Sequence, residues 1–329
     1  MINRKEKFLW ILYGIVLAAL FLLSSTDLII KEQKAEVYPI SVIIEDTSDD
    51  YYVNFRKGME RAAVELNADV SFITLYEQGN RTQQMNFVLR EQEDGNRALI
   101  VAPVDEEMVG ELQASRKVNE PLVLLNVEKD QIKGEYAAGI TFDYYRLGSQ
   151  LGQRLLEEQP EGHPVYLFSC KGNDLVNNRM AEGLCSVLDT GGREWREFCL
   201  QQGSDLETVL KEKPSGAEKG VVVAALDPES LTAAAQLAEN DEAGVLGIRG
   251  LYGRGNTVSI LDELDKGVIQ GLCITDDFSA GYLSVKAAVE LINGRFDGNG
   301  DYQNYQEGSC IGRKELKAGT YEKQLYPIE

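Results

Sequence analysis

The chain opens on a short basic flank, in which Arg4, Lys5 and Lys7 outnumber Glu6, and then carries no charge from Phe8 to Thr26. The stretch FLWILYGIVLAALFLL (8–23) is almost wholly apolar, and about 20 apolar residues span a bilayer as a helix. Because the basic flank comes first, the pattern predicts a cytoplasmic N-terminus over 1–7 and a transmembrane signal anchor over 8–26. Residues 27–37 read as a stalk, and the remainder is expected outside the membrane. A cleaved signal peptide is the competing reading. The apolar run is longer than a usual signal core, and neither an A-x-A-like site nor a lipid-accepting cysteine follows it.

From Tyr38 the pattern changes to short β-branched runs that alternate with amphipathic stretches. Ile40–Ile44, Val70–Leu75, Ala98–Ala102 and Leu122–Asn126 read as strands. Between them Tyr51–Leu66 places Phe55, Met59, Ala62, Ala63 and Leu66 at helical spacing, and Gln83–Gln92 and Glu106–Val118 are helical too. A second series follows. Its strands are Val165–Phe168, Glu197–Leu200, Gly220–Ala225 and Gly244–Ile248; its helices are Asn178–Leu188, Asp205–Leu210 and Pro228–Ala238. Strands alternating with helices of about 10–15 residues mean βαβ units and parallel sheets, here in two successive sets.

Ligands of open α/β sheets bind at the carboxyl ends of the strands, so two such lobes place a site in the cleft between them. The strand ends name its lining: 46–52, 103–105 and Asn126 in the first lobe. In the second they name 170–178, Leu226, Asp227 and Arg249.

The 329 residues, 43 % hydrophobic and 26 % charged, are enough for about two globular domains beyond the apolar segment. A net charge of −20 repels nucleic-acid backbones and anionic lipid, and no basic stripe offsets it. The five cysteines include no C-x-x-C pair, and the single histidine, His163, has no companion at ligand spacing. No metal or cofactor is therefore expected. The thiols read as small buried hydrophobes. Outside the membrane one disulfide is open to them, with an odd thiol left over, and the sequence does not choose the pair.

Several ordered segments carry a family resemblance. Asp50-Tyr51-Tyr52 leads into a helix with Gly58 and Ala62-Ala63, followed by Val101-Ala102-Pro103-Val104-Asp105 and Pro121-Leu122-Val123-Leu124-Leu125-Asn126. Thr141-Phe142-Asp143-Tyr144 then runs into a helix with Gly148 and Gly152. Later come Arg179-Met180-Ala181-Glu182-Gly183-Leu184, Val245-Leu246-Gly247-Ile248 and the helix 281–292 ending at Asn293-Gly294. In this order and spacing, across nearly all of 38–329, the chain resembles the type I periplasmic sugar-binding proteins. That family contains the ribose- and galactose-binding receptors and the ligand-binding half of LacI-type repressors.

The resemblance implies an α/β fold of two Rossmann-like lobes with parallel sheets, joined by a three-crossover hinge. It places lobe 1 at 38–142 and 277–300, and lobe 2 at 143–276 and 301–329. By position it carries ligand contacts onto Asp49, Tyr51, Tyr52, Asn126, Asp143, Tyr144, Asn178, Asp227, Arg249 and Thr275. In such receptors aromatic rings stack on the sugar while carboxylates, amides and arginines pair its hydroxyls, which burial requires. Three positions depart from the family pattern: Asn126 is followed by Val127, Leu226-Asp227 replaces an Asn-Asp pair, and Arg249 stands where aspartate is common.

Other motifs carry less. The glycine-rich run 250–255 is read as a lobe-connecting turn, because its spacing is not that of a dinucleotide site. The calcium-loop-like Asp297–Asp301 has Tyr302 where glycine is needed. Asp49-Asp50 and Asp276-Asp277 read as turn formers and helix caps. One histidine supplies no Ser-His-carboxylate set, so no enzyme is expected, and an apolar helix occupies the place of a DNA-binding head. The expected function is capture of a small polar ligand, sugar or sugar derivative, by hinge closure. The partner would be an ABC permease or a membrane sensor histidine kinase. The alternative is a divergent protein-interaction or sensory module with no sugar ligand.

Overall fold

The structure, a computed structural model, describes all residues except 1–3, 26–35, 46–49, 160–161, 171–173, 201–204, 213–219, 242–243, 296–302, 307 and 328–329. It divides into two units, Met1–Val37 and Tyr38–Glu329. In the first, helix α1 covers Arg4–Ser25. Its apolar side chains are exposed, Phe8 at 68 % and Trp10 at 70 % among them. Among the described residues no helix is long and apolar enough to cross a membrane. The side chains described in α1 run from Glu6 to Leu22, and the expected span 8–26 extends past them.

The second unit contains two six-stranded sheets. The first is made of β1 (Tyr38–Ile44), β2 (Ala68–Thr74), β3 (Ala98–Val101), β4 (Leu122–Leu125), β5 (Ala137–Phe142) and β11 (Gln303–Gln306), in the order β11-β5-β4-β3-β1-β2. All its pairings are parallel. The second is made of β6 (Val165–Ser169), β7 (Trp195–Cys199), β8 (Val221–Ala225), β9 (Ile248–Arg254), β10 (Gly271–Ile274) and β12 (Ser309–Ile311), in the order β12-β10-β9-β8-β6-β7. Only β12 is antiparallel among these pairings. The central strands are buried along their whole length, as covered parallel sheets require, which is why they read as unbroken apolar runs.

Chain continuity ties the sheets together. Helix α5 (Tyr144–Glu158) follows β5 of the first sheet but packs on β9, β10 and β12 of the second. Helix α10 (Asp277–Ile292) follows β10 of the second sheet but packs on the first and on α2 (Asp50–Leu66). The third crossing joins β11 to β12. Residues 303–306, expected with the second lobe, pair instead with β5 in the first sheet. One buried apolar cluster runs through both halves, with Phe142 and Tyr144 edge-to-face at 5.9 Å where the chain crosses.

Two helix pairs meet backbone to backbone, and glycine makes each possible. A Cβ on Gly58 or Gly281 would lie 1.9 Å from the carbonyl oxygen of Phe278 or Phe55, locking α2 to α10. Gly148 and Gly183 meet Met180 and Tyr145 in the same way, at 2.0 and 1.9 Å, between α5 and α6 (Leu175–Thr190).

One strand is displaced from its expected place. Gly244–Ile248 is expected as the strand and 250–255 as a turn, yet β9 spans Ile248–Arg254. Before it, Gly244 and Gly247 take φ of 65° and 68°, and the Asp241 carboxylate accepts from the amides of Val245 and Leu246. That is turn geometry. The glycines of β9 serve close packing: a Cβ on Gly253 would lie 2.5 Å from the Ala225 carbonyl oxygen. Helix α6 also begins at Leu175, three residues before the expected Asn178.

Gly183→Ala is expected to cost about 1–3 kcal/mol by forcing α5 and α6 apart. Gly110→Ala is the control. It lies in α4 (Glu106–Ser115) with nothing within 4 Å of the added methyl, so it is expected to stabilise by about 0.5–1 kcal/mol. Urea unfolding of the two variants checks both signs.

Candidate functional site

The carboxyl ends of β4, β5, β6, β8, β9 and β10 deliver polar residues to the junction between the sheets. At the end of β4, Asn126 adopts φ 59°, a left-handed conformation that asparagine tolerates better than most residues. Its Oδ1 accepts from the buried Tyr144 hydroxyl at 3.1 Å, so a residue of the first sheet is held by the first residue of α5. Asp143 caps α5, accepting from the Arg146 amide at 2.9 Å.

On the second sheet Asp227 is buried after β8 and caps α8 (Pro228–Asn240). Its carboxylate accepts from the amides of Ser230 at 2.8 Å and Cys170 at 2.7 Å, and from Asn177 Nδ2 at 3.5 Å. Arg254, the last residue of β9, donates from Nε to the Leu226 carbonyl at 2.9 Å and from a terminal nitrogen to Asn177 Oδ1 at 3.2 Å. Asn177 is the hub of this group.

The third group surrounds Asp277, which has no exposed surface. Thr275 Oγ1 donates to its Oδ1 at 2.6 Å, and Asn256 Nδ2 donates to Oδ2. Burial pushes the Asp277 carboxyl up from the ordinary 3.8 to about 7, opposed by the Thr275 and Asn256 hydrogen bonds and by the charge of Arg254. The same arginine acts on Tyr144, whose phenol burial drives well above its usual range. Arg254 thus stands close to both crossing elements. Across the junction Arg179 Nε also meets Glu128 Oε1 at 3.1 Å, joining α6 to the loop after β4.

These placements revise the sequence reading residue by residue. Arg249 does not end a strand. It lies exposed at the amino end of β9, where the register between β8 and β9 skips it, and its side chain covers Gly220. Asn178 is exposed while Asn177 beside it is buried, because the inward face of α6 runs through Val176, Asn177, Met180 and Leu184. Thr275 is buried and bonded to Asp277. Tyr52 is half-buried, edge-to-face with Phe55 at 6.3 Å. Asp49, the Tyr51 side chain and the 297–301 motif lie outside the described residues. Asp105 is spoken for: it caps α4 through the Met108 amide at 3.0 Å and pairs with Arg81.

Sequence reasoning missed Arg254, Asn256 and Asp277; Asn177 lay within the 170–178 lining, but the family resemblance chose its neighbour Asn178. The available signal was an arginine closing a glycine-rich run, followed closely by asparagine. Of the Asp276-Asp277 pair only Asp276 is a cap, bonded to the Ser279 amide at 3.0 Å. Not all the thiols are buried, as Cys199 is exposed. His163 lies at the amino end of β6, where its carbonyl accepts from Arg193 at 3.2 Å. That is the opposite end of the sheet from the polar cluster. Among the described residues no three His, Cys, Asp or Glu side chains are grouped to hold a metal ion. Chemically the junction offers hydrogen-bond donors and acceptors on both sides of a crossing.

Because the folded carboxyl of Asp277 binds its proton more tightly than the unfolded one, it stabilises least when ionised. As pH rises from about 4 towards 7, this group alone is expected to lower folding stability by roughly 1.4 kcal/mol per unit. Asp277→Asn is expected to flatten that part of the profile, measured by urea unfolding across the range.

Residues 40–296 match the family model described as a periplasmic binding protein domain. No curated protein sequence matches the chain. Among solved structures it is similar to a carbohydrate-transporter solute-binding protein from Agrobacterium radiobacter in complex with D-arabinose. The identity is 17 %, over 89 % of this chain and 100 % of that one, with a TM-score of 0.76. An ABC-transporter solute-binding protein from Agrobacterium vitis bound with α-D-tagatopyranose gives 17 % identity, 88 % and 100 % coverage and a TM-score of 0.77. A glucose-galactose binding protein from Geobacillus stearothermophilus gives 18 %, 85 % and 99 %, and 0.72. At these identities the likeness is one of fold, and it agrees with two parallel sheets linked by three crossings and polar groups at their facing strand ends. The match over 40–296 settles the family: the chain belongs to the periplasmic binding proteins.

Proposed function

We propose that the unit 38–329 is an extracytoplasmic receptor that captures a neutral polyhydroxy ligand, a sugar or sugar derivative, between its two sheets and closes on it by bending at the crossings. The observation that carries this reading is the convergence of Asn177, Asp227 and Arg254 with Asn256, Thr275 and Asp277. Amides, hydroxyls, carboxylates and one guanidinium at such a junction suit a ligand whose every hydroxyl must be paired once buried. The positive charge of Arg254 already acts on Asp277, which favours a neutral ligand over a phosphate or carboxylate. The sugars held by the structural relatives agree with this class.

The receptor would hand its ligand to an ABC permease. Presentation of a ligand-dependent surface to a membrane sensor kinase is the second reading, and one feature favours it: α1 is apolar on all sides, with Phe8, Trp10 and Phe21 each more than two-thirds exposed. A permanent tether of this kind is more than a diffusible importer subunit requires. The anchor would leave 1–7 in the cytoplasm and 27–37 as a stalk.

Thermal unfolding of residues 38–329 against aldoses, ketoses, polyols, sugar acids and sugar phosphates tests the proposal. A ligand at about 100-fold its dissociation constant is expected to add about 2.7 kcal/mol of stability. The response is expected to vanish in Arg254→Ala and persist in Arg249→Ala. The reverse pattern would move the site to the other end of β9, and no response from any ligand class would favour the interaction module. For the anchor, the full chain is expected in the membrane fraction after alkaline carbonate washing, and residues 38–329 in the supernatant. A soluble full chain would remove the tether.

A further inference from the structure

Cys273 and Cys310 stand directly opposite each other in the antiparallel ladder of β10 and β12. Opposed residues of such a ladder place their Cα atoms about 4.5–5.5 Å apart, inside the range of about 4.4–6.8 Å that a disulfide spans. Both cysteines are thiols here, and the Cys310 sulfur lies within hydrogen-bonding reach of Cys273. The Cys273 thiol also donates to the Leu147 carbonyl at 3.5 Å.

The two differ in access. Cys273 is fully buried, whereas Cys310 is half-buried and opens on a polar groove of about 420 Å³ lined by Gln150, Arg154, Glu158 and Glu315. A small disulfide can therefore reach Cys310 and not Cys273. Arg154 and Arg254 both favour the thiolate at Cys273 against the burial that opposes it. The competing pair, Cys170 and Cys199, is poorly placed. Cys199 is opposite Ser169 in a parallel ladder and Cys170 lies past the end of β6, so the two are not ladder partners.

We propose that Cys273 and Cys310 form a disulfide that fastens the short edge strand β12, and the C-terminal helices beyond it, to β10 at the hinge. The oxidant is a disulfide of the glutathione class. The Cys310 thiolate attacks it, forming a mixed disulfide and releasing one thiol. The Cys273 thiolate then attacks Cys310 sulfur and releases the second. Two protein thiols lose two electrons and two protons, and one small disulfide becomes two thiols. The cross-link closes the loop between β10 and β12, which contains α10 and β11, and so ties two of the three crossings at their second-sheet ends.

The test is titration of the full chain against a reduced–oxidised glutathione series, read by alkylation, intact mass and peptide mapping. Expected are a fall from five alkylatable thiols to three, with one linked peptide pair joining Cys273 to Cys310. Oxidation is expected to raise the unfolding temperature by roughly 5–10 °C, reversibly with dithiothreitol. Cys310→Ser is expected to abolish the shift and Cys199→Ser to leave it. Five persistent thiols at the most oxidising poise, or a linkage through Cys170, Cys185 or Cys199, would overturn the proposal. Peptide mapping of the wild-type chain decides this even if a variant folds poorly.

Discussion

A carboxylate with no solvent contact has to be satisfied by its surroundings or give up its charge. Asp277 meets that constraint at the point where the chain leaves β10 and enters α10, between one sheet and the helix that covers the other. Its partners come from the loop after β9, from the turn before α10 and from the end of β9. None of these segments can move far without leaving the carboxyl unpaired, and losing one partner of a buried charge costs more than the pair itself contributes. Arg254 is fixed for the same reason, and through Asn177 it fixes the first turn of α6. The junction between the sheets is therefore a connected polar network set in an apolar surround.

Much of this fold was legible because parallel strands buried on both faces leave unbroken apolar runs, such as Ala98–Val101 and Val221–Ala225. Legibility failed where glycine was used for packing and not for turning. Gly250 and Gly253 sit inside β9 because neighbouring groups occupy the space of a Cβ, and a sequence cannot distinguish that need from a turn. The error then propagated: ending the strand at Ile248 put Arg249 at its carboxyl end, where the strand itself carries Arg254. Asn177 and Asn178 are adjacent and of one residue type, and neighbouring helix positions point about 100° apart, so only the packing of α6 decides which faces inward. Asp277 was hidden by its neighbour, because adjacent aspartates at a helix start read as caps and only one of them is.

The helix pairs explain why change of shape should concentrate at the crossings. Backbone-to-backbone contact at Gly58/Gly281 and at Gly148/Gly183 leaves no slack between α2 and α10 or between α5 and α6, and close-packed interiors transmit strain instead of absorbing it. On the proposed function each half would therefore move as a rigid body, with the described crossings at 142–144 and 275–277 carrying the bend. Among the described residues Tyr144 to Asn126 and Arg179 to Glu128 are hydrogen bonds that already span the junction, as is Asn54 to the Leu325 carbonyl. The first lies at a crossing itself and can pivot. The second lies further out and is half-exposed, so solvent and salt weaken it.

A ligand can shift such an equilibrium only by binding the closed arrangement better than the open one. Contacts to one half alone bind both states alike and do nothing to close them. On the proposed function the residues that matter are those that would meet a ligand from both sides, and the polar clusters around Asn126–Tyr144 and Asn177–Arg254 stand at the strand ends of different sheets. The chain's charge of −20 adds a second condition. An anionic ligand would have to enter against that field and find, in Arg254, a guanidinium already engaged with Leu226, Asn177 and the charge of Asp277. A neutral polyol escapes the field and needs only donors and acceptors, which the junction holds in excess of charge.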